Sequence, residues 1–259
     1  MSGDCGTTLY WGKPCAEWSL QKNASKQITV ADMEPVVSTA FNAWMTAACP
    51  GGGSPRILVT EAAIATCDLH EYNQNRGNAN IFLFHDDKWP YEGSNNTLAL
   101  TTVTYNLDSG EIYDADMEIN SADNHFTTGD TNVDFYLPSI LTHETGHFLG
   151  LAHSQDAHAT MFVSYAEHTT TLRKLSDDDI AGICAIYPPG SAVSNCDPTP
   201  RHGFSPLCAA DQPAPVTTPT TGCSSATPGD WTGSGGMAAA LGMLVLAARR
   251  ARDKRRRGG

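Results

Sequence analysis

The feature that most constrains this chain is an eleven-residue stretch, residues 143–153, with the sequence HETGHFLGLAH. His143 and His147 are four residues apart, so on a helix both imidazoles project from one face and can reach one metal ion. Gly150 permits the chain to leave the helix through a left-handed conformation, which brings His153 back as a third nitrogen ligand. Three histidines leave the fourth tetrahedral position for water, which is typical of a catalytic rather than a structural zinc site.

Glu144 lies beside these histidines, too near in sequence to be a comfortable ligand but able to reach a metal-bound water as a base. A bare His-Glu-x-x-His motif occurs by chance in unrelated proteins. Here Gly150 and His153 extend the motif at fixed spacing, and an apolar helical run precedes it between residues 135 and 141. The extended pattern favours a catalytic metal site over histidines that only satisfy a core.

Residues 1–190 alternate helix-like and strand-like patterns, which predicts an α+β domain with a sheet between a backing helix and the motif-bearing helix. Ser176 is a good N-cap for the last helix, because three aspartates follow it in the first turn. Three helices are predicted, at about 31–48, 133–150 and 176–186. The first of them begins near Ala31. The predicted strands are 56–60, 80–84, 98–105 and 112–119.

Three further segments resemble the metzincin zinc metallopeptidases, and more narrowly the bacterial matrixins. Residues 159–165, ATMFVSY, are similar to the matrixin Met-turn, with Tyr165 four residues after Met161. Residues 175–183 match the start of the last matrixin helix, and residues 113–120 resemble the strand that precedes the active-site helix. Val163 departs from the proline that is usual after this turn.

The resemblance implies a zincin catalytic domain built from a twisted mixed β-sheet, a backing helix, an active-site helix and a C-terminal helix. It places Met161 beneath one catalytic zinc, with Tyr165 in a supporting position. It also implies a zinc endopeptidase that acts on protein or peptide substrates, with Glu144 as general base and acid. An extended substrate would lie antiparallel to an edge strand near residues 98–101, and residues 153–175 would shape the main pocket.

Additional metal sites are less clearly indicated by the sequence. We find no histidine and aspartate set for a second zinc, and surface or packing roles are expected for the other histidines, His70, His85, His125, His158, His168 and His202. Structural calcium is compatible with the resemblance, although ordinary loop and cap roles explain the candidate ligands equally well. Those candidates are Asp86, Asp87, Asp114, Asp116 and Asp130.

The cysteines are widely and irregularly spaced: Cys5, Cys15, Cys49, Cys67, Cys184, Cys196, Cys208 and Cys223. This spacing fits disulfides made in an oxidising compartment better than scattered thiols of a cytosolic protein. The nearest-neighbour pairings, Cys5 with Cys15 and Cys49 with Cys67, are the first to expect. The segment around Cys5 also faintly resembles the matrixin propeptide cysteine, but a disulfide is favoured. A secreted or cell-surface location follows, although no secretory signal opens the chain.

Charge is distributed unevenly along the chain. The net charge is −12, and seven of the sixteen Lys and Arg residues lie within residues 249–259, which leaves an acidic body. Because nucleic-acid binding requires basic side chains that face phosphates, no nucleic-acid partner is expected. Nothing in the pattern indicates an oligomer, so a monomer is expected.

Beyond the predicted catalytic domain, 1–190, the composition changes. Residues 191–235 are rich in Pro, Ser and Thr, which predicts an extended linker, with Cys196 and Cys208 closing a small loop inside it. Residues 236–259 form a short apolar segment followed by a basic cluster. With the upstream Cys223, this resembles the C-terminal sorting tails of myxobacterial surface proteins, and it would be the only membrane contact. A solvated basic tail after a short core helix is the alternative.

A protein that binds zinc at the cell surface without turnover is the competing functional class. Glu144 argues against this alternative, since a binding site has no need of a base beside its ligands.

Overall fold

A computed structural model describes residues 7–92 and 97–213, and the backbone of a strand formed by residues 239–249. Cys5, Cys223 and most of the predicted sorting tail lie outside this range. The helices are α1 (Val30–Met45), α2 (Leu137–Phe148) and α3 (Asp177–Ile186). The strands are β1 (Tyr10–Trp11), β2 (Cys15–Leu20), β3 (Leu58–Glu61), β4 (Ile81–Phe84), β5 (Thr97–Asn106), β6 (Glu111–Ile119), β7 (Phe126–Thr127), β8 (Phe135–Tyr136), β9 (Ser164–Ala166) and β10 (Ala239–Arg249).

A mixed sheet dominates the fold, with the strand order β3-β2-β4-β6-β5-β10-β9 and β1 added beside β6. β2, β3, β4 and β6 pair in parallel, whereas β5 runs antiparallel to both β6 and β10. Strands β7 and β8 form a separate two-stranded sheet. Together with three helices, this sheet confirms the predicted α+β fold.

The backing helix α1 begins where Thr29 caps it, because the side chain of Thr29 accepts a hydrogen bond from the amide of Asp32. Its buried face carries Phe41 and Trp44. The Phe41 ring makes an edge-to-face contact with Phe148 of α2 at a centroid distance of 4.9 Å, and aromatic pairs in this geometry stabilise beyond the area they bury. The motif-bearing helix is therefore fixed against a rigid aromatic core.

Helix α2 starts later than the sequence predicts. Residues 133–136 were expected to be helical, but Phe135 and Tyr136 form β8 and pair with β7. Pro138 occupies the first turn of α2, where the absence of an N–H group costs nothing and the fixed φ suits a helix. The strand partner and the proline together set the start of the helix at Leu137.

The predicted disulfide pairings are wrong. The structure joins Cys15 to Cys196, Cys49 to Cys184 and Cys67 to Cys208, each across more than a hundred residues of sequence. Cys196 and Cys208 therefore do not close a loop with each other. Three disulfides are consistent with a protein that folds in an oxidising compartment.

Two of these disulfides tie residues 191–213, which form the first part of the predicted linker, to the catalytic domain. Further contacts support the attachment. The Asn78 side-chain amide donates to the carbonyl of Arg201 at 2.8 Å, and the Arg201 guanidinium lies 4.0 Å from the centre of the Tyr113 ring. The described part of this segment thus packs on the sheet. No helix among the described residues is long and apolar enough to cross a bilayer.

Candidate metal centre

Three histidines converge at one end of α2 and the loop that follows it. One ring nitrogen from each of His143, His147 and His153 lies within 4.8 Å of the others. The Nε2 atoms of His147 and His153 are 3.2 Å apart. His143 and His147 are fully buried, whereas His153 is partly exposed. The group is therefore arranged to hold one ion at the border between core and solvent.

Backbone carbonyls fix the tautomers of the two helical histidines. The Nδ1 of His143 lies 2.7 Å from the carbonyl oxygen of Thr160, and the Nδ1 of His147 lies 2.8 Å from that of Leu151. A carbonyl only accepts, so each Nδ1 carries the proton and each Nε2 keeps its lone pair for a metal. The Nε2 of His143 is buried and has no hydrogen-bond partner within the described part of the chain.

Burial keeps these imidazoles neutral, as metal ligation requires. Burial, aided by the neighbouring His153, lowers the pKa of His143 to about 3. The pKa of His147 is also well below its usual value, chiefly because of burial. Two neutral imidazoles that keep a lone pair on Nε2, together with His153 beside them, match the donor set of a zinc site, so the residues present fit the ion.

Gly150 makes the turn that delivers the third histidine. Its φ is +95°, a conformation that side-chain-bearing residues avoid. The amide of Gly150 donates to the carbonyl of His147, and the amide of Leu151 donates to that of Gly146. This hydrogen-bond pair is the Schellman motif, which ends α2 and directs the chain toward His153.

Met161 packs closely against Gly146, which lies between the two helical histidines. A Cβ atom added at Gly146, between the two helical histidines, would overlap the Met161 sulfur and crowd the Trp44 ring. The indole Nε1 of Trp44 donates to the carbonyl of Thr142 at 2.8 Å. A glycine at position 146 therefore lets the methionine turn and the backing helix both approach the motif closely.

Asp179 holds this turn in place, a role that the sequence did not disclose. Its carboxylate accepts hydrogen bonds from the amides of Thr160 and Met161 at 2.7 and 3.0 Å. It also completes the predicted N-cap of α3, because Ser176 and Asp179 form a reciprocal capping box. One fully buried carboxylate thus links α3 to the carbonyl that orients His143.

Glu144 is buried beside the histidines, and its carboxylate has a partner from the sheet. The hydroxyl of Thr101, on β5, donates to Oε2 of Glu144 at 2.6 Å. Oε1 is buried and has no hydrogen-bond partner among the described residues. Burial raises the pKa of Glu144 to about 8, and the hydrogen bond from Thr101 opposes this shift only partly. A carboxyl of this kind can both take up and release a proton near neutral pH.

Tyr165 lies on β9, downstream of the methionine turn, and supports the following loop. Its hydroxyl donates to the carbonyl of Thr169 at 2.6 Å, and the residue is almost completely buried. The hydroxyl of Ser139 in α2 donates to the carbonyl of Thr171 in the same loop. These contacts fix the loop that follows the metal centre.

A second cluster of titratable groups lies around Glu118, on the face of β6 that carries this side chain. His70 and His85, for which the sequence predicts only surface or packing roles, both contact the Glu118 carboxylate, at 3.1 and 2.6 Å. Burial favours the neutral form of Glu118, but hydrogen bonds from these histidines and Tyr91 outweigh it and lower its pKa to about 2. His125 instead lies 2.8 Å from Asp134 at the surface.

The calcium candidates are mostly engaged by protein groups. Oδ1 of Asp86 accepts from the hydroxyls of Ser25 and Ser121, and Asp130 pairs with Arg173. Among the described residues one other group has metal-ligand spacing, Cys67 with Glu71 and Cys208, but its two sulfurs form a disulfide. Calcium therefore stays a prediction.

Asp114 and Asp116 are neighbouring carboxyls on β6, and both are fully buried. Burial and their mutual repulsion raise the pKa of Asp114 well above its usual value, and burial raises that of Asp116 to about 7. A raised carboxyl pKa stabilises the fold below about pH 4, and this contribution is lost as the pH rises through the folded-state pKa. Because of this pair, the free energy of unfolding should therefore fall as the pH rises from 5 to 8.

We expect Asp114→Asn to flatten this dependence, because it removes one of the two coupled charges. Thermal unfolding at half-unit steps from pH 5 to pH 8 measures the effect. Each unit by which folding raises a carboxyl pKa can change the free energy of unfolding by up to about 1.4 kcal/mol. The exposed Asp108→Asn is the matched control and should keep the slope of the parent protein. An unchanged slope in Asp114→Asn would show that the pair does not titrate in this range.

Fold and site together are those of a metallopeptidase domain. The sequence profile of the Matrixin family, peptidase family M10, matches residues 10–188. The chain belongs to the matrixin family of zinc metallopeptidases.

Two human proteins illustrate the relationship. Neutrophil collagenase is 30% identical over 190 residues, covering 69% of this chain and 35% of the relative. Matrix metalloproteinase-20 is 34% identical over 120 residues, covering 44% of this chain and 23% of the relative. The match thus spans about a third or less of the length of each relative.

Proposed function

We propose that this chain is a zinc endopeptidase that hydrolyses protein or peptide substrates outside the cytoplasm. The observation that carries the proposal is the convergence of three imidazoles, two of which burial keeps neutral, next to a buried carboxyl, Glu144. A site that only held a metal would not need that carboxyl. Family membership supports the same reaction class.

His143, His147 and His153 would hold the ion through nitrogens that converge on one point. When bound, zinc supplies a Lewis acid that makes a water nucleophilic near neutral pH and polarises a carbonyl. The carbonyls of Thr160 and Leu151 keep two of the ligands in the correct tautomer.

Glu144 moves the protons of the reaction. Its carboxylate would take a proton from the attacking water and then give it to the amine that leaves. The Thr101 hydroxyl orients the carboxylate through Oε2, so Oε1 is the oxygen placed to receive the proton. Burial, which raises the pKa of Glu144, suits the second step because the protonated form persists until the amine departs.

An extended substrate would pair antiparallel with β5, and its side chains would enter a pocket shaped by residues 153–175. Main-chain pairing of this kind tolerates many sequences, so the pocket would set the preference. Disulfides support an extracytoplasmic location. The division into a catalytic domain, a linker and a sorting tail stays a prediction, with the bounds 1–190, 191–235 and 236–259. The monomeric state, calcium binding and membrane contact through the tail also stay predictions.

Removal of the metal is the direct test of this function. We expect 1,10-phenanthroline to abolish hydrolysis of casein and of a quenched peptide by the full chain, and added zinc to restore it. His153→Ala should weaken zinc binding, measured by metal content after dialysis, whereas the exposed His158→Ala should not. Folded, zinc-loaded protein that hydrolyses neither substrate would favour a zinc-binding surface protein instead.

A further inference from the structure

The segment that lies beside the metal centre belongs to the chain's own C-terminal region. Residues Ala239–Ala247 of β10 pair antiparallel with β5, on the edge of β5 opposite β6. Residues Ala247–Arg249 then pair in parallel with β9, immediately downstream of the methionine turn. β10 thus pairs with both β5, which carries Thr101, and β9, which follows the methionine turn.

The register brings this strand next to the residue that contacts the Glu144 carboxyl. Leu244 lies opposite Thr101, the residue whose hydroxyl contacts Glu144, and Val245 lies opposite Leu100. Residues that face each other in an antiparallel pair have Cα atoms about 4.5–5.5 Å apart. Cα atoms of β10 also approach those of α2 within 8 Å. The backbone near Leu244 therefore runs beside Thr101 and close to the helix that carries Glu144.

We propose that β10 occupies the substrate cleft in the orientation of a substrate and competes with other peptides for it. This inference rests on the proposed function, because it takes the β5 edge to be the substrate-binding edge. It identifies an apolar extended peptide, of the type AALGMLVLAAR at residues 239–249, as a chemistry that the cleft accepts. An unpaired edge strand of this length readily pairs with another strand, and β10 satisfies its hydrogen-bonding groups.

Covalent reach permits this arrangement within one molecule. Residues 214–238 connect the packed segment to β10, and a chain of this length can extend at most about 80 Å. A domain of about 200 residues has a radius of gyration of about 16 Å, so any point on its surface is accessible. A tethered segment has an effective concentration of about 1 mM. If the segment binds with an intrinsic dissociation constant of about 0.1 mM, its effective concentration is about ten times that constant. The apparent KM of a competing peptide then rises about tenfold.

Disulfide trapping tests the register without requiring activity. In a Glu144→Ala background, the pair Thr104→Cys with Leu241→Cys should cross-link under mild oxidation, because these positions face each other. The control pair, Thr104→Cys with Val245→Cys, is displaced by four residues, about 13 Å along the strand. Peptide mapping by mass spectrometry measures both yields. Equal yields would overturn the proposal, and a tail that is inserted in a membrane or free in solvent would give that result.

Competition is tested by kinetics on the full chain. Val245→Pro removes a backbone donor from the ladder and should lower KM for a quenched peptide about tenfold with kcat unchanged. The control Ser234→Pro introduces the same residue before the strand and should leave KM unaltered. Equal KM values would overturn the proposal. Failure of the proposed function has a different signature, with selective cross-linking retained and no hydrolysis by any variant.

Discussion

Glu144→Gln is expected to lower kcat by about 10²- to 10⁴-fold while zinc stays bound. Glutamine has the size of glutamate and can still accept the hydrogen bond that Thr101 donates. It cannot take a proton from water, so the step that makes the nucleophile loses its base. KM should change little, because Glu144 is fully buried and is not expected to bind the substrate main chain.

Initial rates with a quenched peptide, together with zinc content from elemental analysis, measure the two effects separately. Glu61→Gln is the matched control, since Glu61 is exposed at the end of β3, and it should keep the rate and the metal of the parent protein. Hydrolysis by Glu144→Gln at the rate of the parent protein would remove Glu144 from the mechanism. Loss of zinc in the variant would instead indicate a structural role for the carboxyl.

The parts of the site that were predictable from sequence are those set by local spacing. His143 and His147 meet because a helix places residues four apart on one face, and His153 follows because a glycine permits one particular turn. The capping role of Ser176 also involves atoms only three residues apart. Each of these relationships is encoded within a single helix or its end.

The parts that were missed are contacts between distant segments. Thr101 reaches Glu144 across 43 residues, and Asp179 holds the amide of Thr160 across 19. Neither residue stands out in the sequence, because threonine is ordinary in a strand and aspartate is ordinary in the first turn of a helix. Only the packing of β5 and α3 against α2 gives them their partners.

The predicted disulfide pairings were wrong for the same reason, because the true partners are distant in sequence. Nearness in sequence suggested Cys15 with Cys5, yet the parallel pairing of β2 in the sheet and the return of residues 191–213 bring Cys196 to Cys15. A six-residue strand with polar residues inside it, such as β2, gives little periodic signal. Without that strand, the topology that selects the partner is invisible.

Gly150→Ala is expected to destabilise the fold by about 2 to 5 kcal/mol and to weaken zinc binding. A left-handed conformation costs a residue with a Cβ about 1–2 kcal/mol. The new methyl group would also overlap the carbonyl oxygen of Leu9, which is backbone and cannot rotate away; such overpacking adds about 1–3 kcal/mol. Relief requires the turn to open, which moves the Leu151 carbonyl from His147 and displaces His153.

Gly129→Ala is the matched control, because a Cβ atom there meets nothing within 4 Å and the φ of Gly129 is not positive. It should change stability by less than about 0.5 kcal/mol. Chemical denaturation with and without zinc, beside a zinc titration, distinguishes strain in the fold from damage to the metal centre. If Gly150→Ala matched the control in both measurements, the turn would be free to adopt another conformation. The geometry of the three histidines would then depend on the ion rather than on the chain.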